Sequence, residues 1–332
     1  MERRVLGRTG LPVSVLGFGC GAVGGLMVRG EPAEQERAVA RALEAGVNYF
    51  DTAALYGNGE SERNLGRVLK ALRPAGAIVG TKVRLAASQA GGIAGAVRAS
   101  LESSLSRLGR DRVDILYLHN AVTSSGGGDA LTLSRALQEV VPAFDALRRE
   151  GKVRFLGFTA IGDTAALHQL VDSCAFDAAQ IVCNLLNPSA GEALPAGSQA
   201  QDYGLLLERA CAAGTGAVGI RILAGGALTG SADRHPVASP PPEPIGSAAT
   251  YDADLAAAHR LMALVEEGHA GSLAEAATRY AAFHPAMGTA LVGMASAAQL
   301  ETALAAVAKG PLPATALLRL KALQRGLVGA RH

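Results

Sequence analysis

Two kinds of segment alternate along the chain. Short runs rich in Val, Ile and Leu stand at 15–19, 47–51, 77–83, 113–119, 153–159, 179–183, 217–222 and 289–293. They are largely apolar on both faces, as strands of a parallel sheet covered on both sides should be. Longer stretches with helical spacing lie between them, at 32–45, 61–72, 94–108, 133–149, 164–173, 203–213, 252–267, 272–283 and 297–308. The first has Pro32 near its start and Gly46 after its end, the asymmetry of a helix. Leu65, Val68 and Leu69 set the apolar face of the second. Two alternating runs around a turn at 8–10 predict a hairpin over 4–14, and a last helix is expected at 313–325. Eight strand–helix repeats predict an α/β fold: one (β/α)8 TIM barrel domain over 1–332, with an N-terminal β-hairpin and a C-terminal helical extension. The prolines at 239–244 mark a turn-rich connection and not a domain linker, because the eighth strand has yet to follow.

An open dinucleotide-binding sheet is the rival. Gly17-Phe-Gly19-Cys-Gly21-Ala22 matches G-x-G-x-x-[GA], but that motif needs an immediate helix and an acid about 20 residues on. Here Val23 to Gly30 reads as loop, and Asp51 lies too far away. The glycines are better read as a flexible loop at the mouth of a barrel.

Composition narrows the function classes. The 49% hydrophobic and 18% charged residues imply a large interior, not a disordered chain. A formal charge of +2 supplies no field to gather nucleic acid or an anionic membrane, and 4% aromatics without Trp supply no base-stacking platform. Cys20, Cys174, Cys183 and Cys211 form no C-x-x-C pair, so reduced thiols are expected. Met1 to Arg4 does not begin a signal peptide, and no run approaches the roughly 20 apolar residues of a membrane span. A cytoplasmic location is the expectation.

In a (β/α)8 barrel the C-terminal strand ends face one mouth. Strand two ends in Asp51, strand three in Gly80-Thr-Lys82, strand four in Tyr117-Leu-His119, and Tyr56 follows strand two by five residues. Each alone has an ordinary reading: Asp51 as a turn cap, His119 as a hydrogen-bonded core residue, Tyr56 as packing. Lys82 is harder to dismiss, since a buried lysine needs a partner. Together they suggest proton transfer to a carbonyl oxygen. A phenol titrates near 10, and a neighbouring ammonium lowers that value. Lys82 would supply the ammonium, Asp51 would hold it charged, and His119 would orient the substrate oxygen. No nucleophile with an adjacent base and no metal-ligand cluster is apparent, so a bound hydride carrier is implied.

At these residues the chain resembles the aldo-keto reductase family. Asp51-Thr-Ala-Ala-Leu-Tyr56-Gly-Asn-Gly-Glu-Ser61 follows its second-strand signature, and Gly80-Thr-Lys82-Val and Asp114-Ile-Leu-Tyr-Leu-His119 its other two anchors. The resemblance runs over nearly the whole chain. It implies Tyr56 as general acid-base, Lys82 and Asp51 as its tuning pair, His119 as the orienting group, and direct hydride transfer from nicotinamide without a metal.

The resemblance also implies cofactor contacts. Thr159 stands where a Ser-Asn pair would bind the nicotinamide carboxamide, and Gln180 matches a glutamine with the same role. After strand seven the family's stacking aromatic is missing from the run through Leu223 and Gly225. Arg221 is a new cation placed to pair with the pyrophosphate. The family sets basic residues for a 2′-phosphate where Gly293 and Gln299 stand, and Glu-Asn for adenine at Thr302-Ala303. Ser296 would cap the helix at 297–308, whose first amides would meet a phosphate weakly. Missing cations shift the expectation from NADP(H) alone to NADP(H) or NAD(H). The loop at 20–30 with Leu26 and Met27, Asn120, and the polar stretch 123–128 suit a small aldehyde, ketone or sugar as the partner molecule. A nicotinamide-binding regulatory subunit with little turnover is the alternative, and barrel chemistry without nicotinamide a third. Oligomeric state does not follow from the sequence.

Overall fold

The computed structural model describes residues 1–86 and 92–329. Among these residues the strands are β1 (Arg3–Val5), β2 (Pro12–Ser14), β3 (Leu16–Gly19), β4 (Tyr49–Asp51), β5 (Ile78–Val83), β6 (Val113–Leu118), β7 (Val122–Thr123), β8 (Leu131–Thr132), β9 (Val153–Thr159), β10 (Ala178–Val182), β11 (Gly216–Ile220) and β12 (Thr289–Gly293). Eight of them, β3, β4, β5, β6, β9, β10, β11 and β12, close into a barrel in chain order, every pair parallel. The expected (β/α)8 architecture is therefore present and the open sheet is excluded. Gly17 and Gly19, from the glycine motif, lie inside β3.

β1 and β2 pair antiparallel below the barrel, with Arg3 opposite Ser14. Leu6, Leu11 and Val13 from this hairpin pack with Tyr49, Ile78, Ile115 and Val218 from the barrel interior. The N-terminal end of the barrel is thereby plugged, which leaves the C-terminal end for chemistry. Apolar faces of the outer helices, including Pro32–Glu44, Glu60–Leu72, Ile93–Leu108 and Ala297–Ala308, cover the barrel from outside. No helix of the described residues is long and apolar enough to cross a membrane.

The differences from the sequence pattern have local causes. β11 stops at Ile220 because Arg221 turns left-handed, with φ of 56°, so Arg221 and Ile222 open a loop instead of ending the strand. The helix expected at 203–213 begins only at Leu206, since Gly204 and Leu205 are also left-handed. Within 20–30 a short helix, Leu26–Arg29, buries Leu26 and Met27. The helix expected at 133–149 contains a π-helical segment, Ala136–Val140, just before Pro142, a residue that cannot donate to the regular ladder. The stretch expected at 252–267 divides into Tyr251–Leu261 and Ala263–Glu266.

Candidate active site

Side chains alternate along a strand, so residues two apart on one barrel strand face the same interior. Tyr49 and Asp51 on β4, Gly80 and Lys82 on β5, Gly157 and Thr159 on β9, and Ala178 and Gln180 on β10 form such pairs. Tyr117 near the end of β6 relates to His119 in the same way. The upper residue of each pair carries chemistry, and the lower ones make its floor.

The floor is built from two fully buried phenols, Tyr49 and Tyr117, whose hydroxyls hydrogen-bond at 2.7 Å. Burial pushes both well above the ordinary phenol range, so they stay neutral. Gly157 makes room for this layer: a Cβ there would lie 2.3 Å from the Tyr117 ring. Gly157→Ala is expected to cost about 1–3 kcal/mol through overpacking. Chemical denaturation of the variant checks it, and an unchanged midpoint would show that the floor has slack.

Above the floor, the Lys82 ammonium donates to Asp51 Oδ2 and, at 2.8 Å, to the carbonyl of Thr52. Lys82 is 1% exposed and Asp51 4%, so neither meets its counter-charge through water. Burial works against the charged lysine, but Asp51 and Tyr56 outweigh it and hold Lys82 above its ordinary value. Burial raises Asp51, and Lys82 and Gln180 oppose the rise. Gln180 donates from Nε2 to Asp51 Oδ1 at 2.5 Å, while Thr159 Oγ1 donates to Gln180 Oε1 at 3.5 Å. Two residues expected to meet a carboxamide are thus engaged in orienting Asp51. Strand register brings this about, since Thr159 stands beside Gln180.

Tyr56 sits in the turn between β4 and helix Glu60–Leu72. Gly57, Asn58 and Gly59 all have positive φ, which suits the Gly-Asn-Gly run that follows the tyrosine. Thr52 Oγ1 and Ser61 Oγ bond at 2.8 Å, and Ser61 donates onward to the carbonyl of Cys20, closing the turn at its base. The Lys82 ammonium lies 4.7 Å from the centroid of the Tyr56 ring, and His119 meets the same ring edge-on at 5.8 Å and 85°. Asp51, Tyr56, Lys82 and His119 therefore share one mouth.

Two electrostatic details follow. Tyr56 lies above its ordinary value, not below it as expected from the sequence: burial raises it, and the opposing pull of Lys82 is offset by Asp51. The ammonium acts in the expected direction, but its carboxylate partner acts against it. His119 is pushed down to about 3, by burial first and then by the charges of Lys82 and Arg84. Its Nδ1 is buried without a hydrogen-bond partner. A buried Nδ1–H with no acceptor is costly, so the neutral ring carries its proton on Nε2. The His119 imidazole is expected to stay neutral from pH 9 to pH 5. NMR titration of wild type against His119→Gln checks this, and an imidazole titrating near 6.5 that vanishes in the variant would contradict it.

A cleft of about 340 Å³ opens beside the mouth, and Arg221, Leu223, Gly225, Gly293 and Gln299 are in its walls. Ser296 is not: its hydroxyl accepts from the Gln299 amide at 3.4 Å and caps helix Ala297–Ala308. Gln299 Oε1 in turn accepts from the Ala295 amide at 2.8 Å. The amide of Ala297 is met by Glu34 Oε1 at 3.2 Å. Two of the first helix amides expected to meet a phosphate, those of Ala297 and Gln299, are thus engaged by the protein itself.

The loop after β11 is held in an unusual shape. Arg221, Ala224, Gly225 and Gly226 all have positive φ, and Asn184 Nδ2 pins the Arg221 carbonyl at 3.0 Å. The Arg221 guanidinium donates to the Glu243 carbonyl at 3.3 Å. Burial lowers its value below that of an ordinary guanidinium. Arg234 and Tyr251 also line the cleft, with Arg234 bonded to the Gly225 carbonyl at 2.9 Å and to Tyr251 Oη at 3.2 Å. Sequence reasoning missed both, because they flank an aperiodic, proline-rich insertion. It also missed Tyr49 and Tyr117, although each stands two positions before a residue already singled out.

The loop after β3 links cleft and mouth, since Val23 and Gly24 line the cleft and a Cβ on Gly21 would lie 3.8 Å from the Tyr56 ring, and a cleft that carries two guanidinium groups there fits a dinucleotide with a central pyrophosphate. Arg221, Arg234 and the loop from Leu223 to Gly226 would hold its phosphates.

The model of the Aldo/keto reductase family matches residues 15–325. An L-galactose dehydrogenase from Arabidopsis thaliana is 39% identical over 166 residues, 48% of this chain and 49% of its own length. A D-threo-aldose 1-dehydrogenase from a Pseudomonas species is 30% identical over 214 residues, 56% of this chain and 63% of its own length. The chain thus spans between about half and under two thirds of these curated relatives. Over nearly its whole length it is similar to the solved holo form of an aldo-keto reductase from Bacillus halodurans. The TM-score is 0.71 and the identity 25%, covering 97% of this chain and 96% of the other.

Proposed function

Because the chain belongs to the aldo/keto reductase family, we propose that it is a nicotinamide-dependent oxidoreductase acting on a small polar carbonyl compound or the corresponding alcohol. A reducing sugar at its anomeric carbon is the favoured substrate class. The observation that carries the reading is the buried Lys82–Asp51 pair beneath Tyr56, with neutral His119 against the same ring. The names of the two dehydrogenase relatives support the sugar class, as does a mouth with few aromatics.

In this reading Tyr56 hands its phenolic proton to the substrate oxygen during reduction and takes it back during oxidation. Lys82 stabilises the phenolate left behind, and Asp51 keeps Lys82 in place. His119 donates from Nε2 to the same oxygen and sets its angle. Arg221, Arg234 and the loop from Leu223 to Gly226 would hold a nicotinamide nucleotide in the cleft, and its chemistry there would be to supply or accept a hydride. Thr159 and Gln180 fix the orientation of Asp51. Asn120, directly after His119, accepts from the Leu85 amide and donates to the carbonyls of Leu85 and Asp129, so the two loops flanking the mouth are tied together.

The test is a panel of aldoses, simple aldehydes and ketones assayed with both nicotinamide nucleotides, alongside calorimetric titration of each nucleotide. Turnover of at least one reducing sugar is expected. Tight nucleotide binding without turnover of any panel member would replace the enzyme by a nicotinamide-sensing protein. Turnover of simple aldehydes alone would remove the sugar class.

A further inference from the structure

The charges along the cleft are not evenly distributed. The end of the cleft at Val23 and Gly24 adjoins the mouth, because a Cβ on Gly21 would lie 3.8 Å from the Tyr56 ring; Arg221 and Arg234 are in the walls, and Arg234 binds the Gly225 carbonyl. The wall continues to Gly293, Ala295, Gln299, Thr302 and Ala303, at the start of helix Ala297–Ala308. A dinucleotide with its nicotinamide at Tyr56 and its pyrophosphate at the two guanidiniums brings its adenosine ribose to this far end. Among the described residues, no Lys or Arg lines that stretch of wall. Asp233 and His235 are also in the cleft walls, and at the helix start, between the lining residues Ala295 and Gln299, the carboxylate of Glu34 reaches across from helix Pro32–Glu44 to accept from the Ala297 amide at 3.2 Å. Arg41, on the same helix, is committed to Glu301 through contacts of 2.6 and 3.2 Å.

We propose that Glu34 is a specificity-determining residue that selects a dinucleotide with a free 2′-hydroxyl, NAD(H), over the 2′-phosphorylated form. This rests on the reading of the cleft as the nicotinamide nucleotide site. The physical argument has two parts. A ribose hydroxyl is a donor and is compatible with a carboxylate neighbour. A 2′-phosphate is an anion that would find a second anion and no Lys or Arg in that stretch of wall, and two of the helix amides that would otherwise receive it, those of Ala297 and Gln299, are already bonded to Glu34 and Ser296. Like charges a few ångströms apart near a protein surface cost enough to shift affinity about tenfold. Two amides of the helix terminus are thus taken from within the protein, and one of them is taken by a carboxylate.

Glu34→Gln isolates the charge, because the amide oxygen of glutamine still accepts from Ala297. Calorimetric titration of NADH and NADPH into wild type and variant reads the effect without catalysis. Wild type is expected to bind NADH at least about tenfold more tightly than NADPH. The variant should narrow that ratio about tenfold, through tighter NADPH binding and with NADH affinity unchanged. Glu34→Lys should invert the preference. Equal affinities in wild type, or a ratio that Glu34→Gln leaves in place, would overturn the role of Glu34 while leaving the nicotinamide site intact. Failure of wild type to bind either nucleotide would overturn both.

Discussion

Replacing Lys82 by Met is expected to destabilise the fold by about 3–5 kcal/mol and to lower turnover of the folded fraction by about a hundredfold or more. The stability loss comes from Asp51. Its carboxylate is 4% exposed and would keep only Gln180 as a side-chain donor. An uncompensated buried charge costs more than the pair itself contributes. The double variant Lys82→Met/Asp51→Leu should therefore recover most of the lost stability, because both charges leave together. It should not recover activity, since Tyr56 would still lack an ammonium 4.7 Å from its ring. Denaturant midpoints and initial rates on the three proteins separate the two effects. If the single variant is as stable as wild type, Asp51 is not held as an ion. If the double variant is fully active, Lys82 has no part in the chemistry. The pH dependence of the lysine contribution has a definite sign. Lys82 is raised in the folded state, so its contribution is complete below its unfolded value near 10.5 and is lost as pH climbs through the folded value.

Tyr56→Phe should have the largest effect on rate alone. It removes one hydroxyl from a half-buried side chain in a turn that Thr52 and Ser61 close independently. Stability and nucleotide affinity are expected to change little. Turnover should fall by about 10²–10⁴-fold, the usual contribution of one positioned proton donor. A fall in kcat with an unchanged nucleotide affinity marks a group used in the transition state. A variant with altered nucleotide affinity and a normal kcat would instead make Tyr56 a binding residue.

The barrel was legible because eight doubly apolar runs recur with helices between them, and because Gly and Pro punctuate the ends. The four polar residues of the mouth were legible because strand ends in such a barrel converge. What was not legible has physical reasons. Burial sets the direction of the Tyr56 shift, and burial is a property of the packed chain, so a reading of residue types alone weighs only the ammonium of Lys82. Gln180 and Ser296 are the right residue types for ligands, but strand register and helix capping claim their side chains first. Glu34 meets Ala297 across 263 positions, and no local pattern announces such a contact. Arg234 and Tyr251 flank an insertion without periodicity, whereas the Tyr49–Tyr117 floor was within reach of the two-residue strand rule.

Single-turnover hydride transfer as a function of pH, with substrate and reduced nucleotide at saturation, puts the role of the phenol to its most direct trial. Since burial holds Tyr56 above its ordinary value of 10, reduction by wild type should be flat from pH 6 through pH 9 and decline only beyond pH 10. Tyr56→Phe should be slow and lack that alkaline decline. A wild-type decline centred near 6.5, or a variant that keeps both the rate and the alkaline limb, would assign the proton to another group.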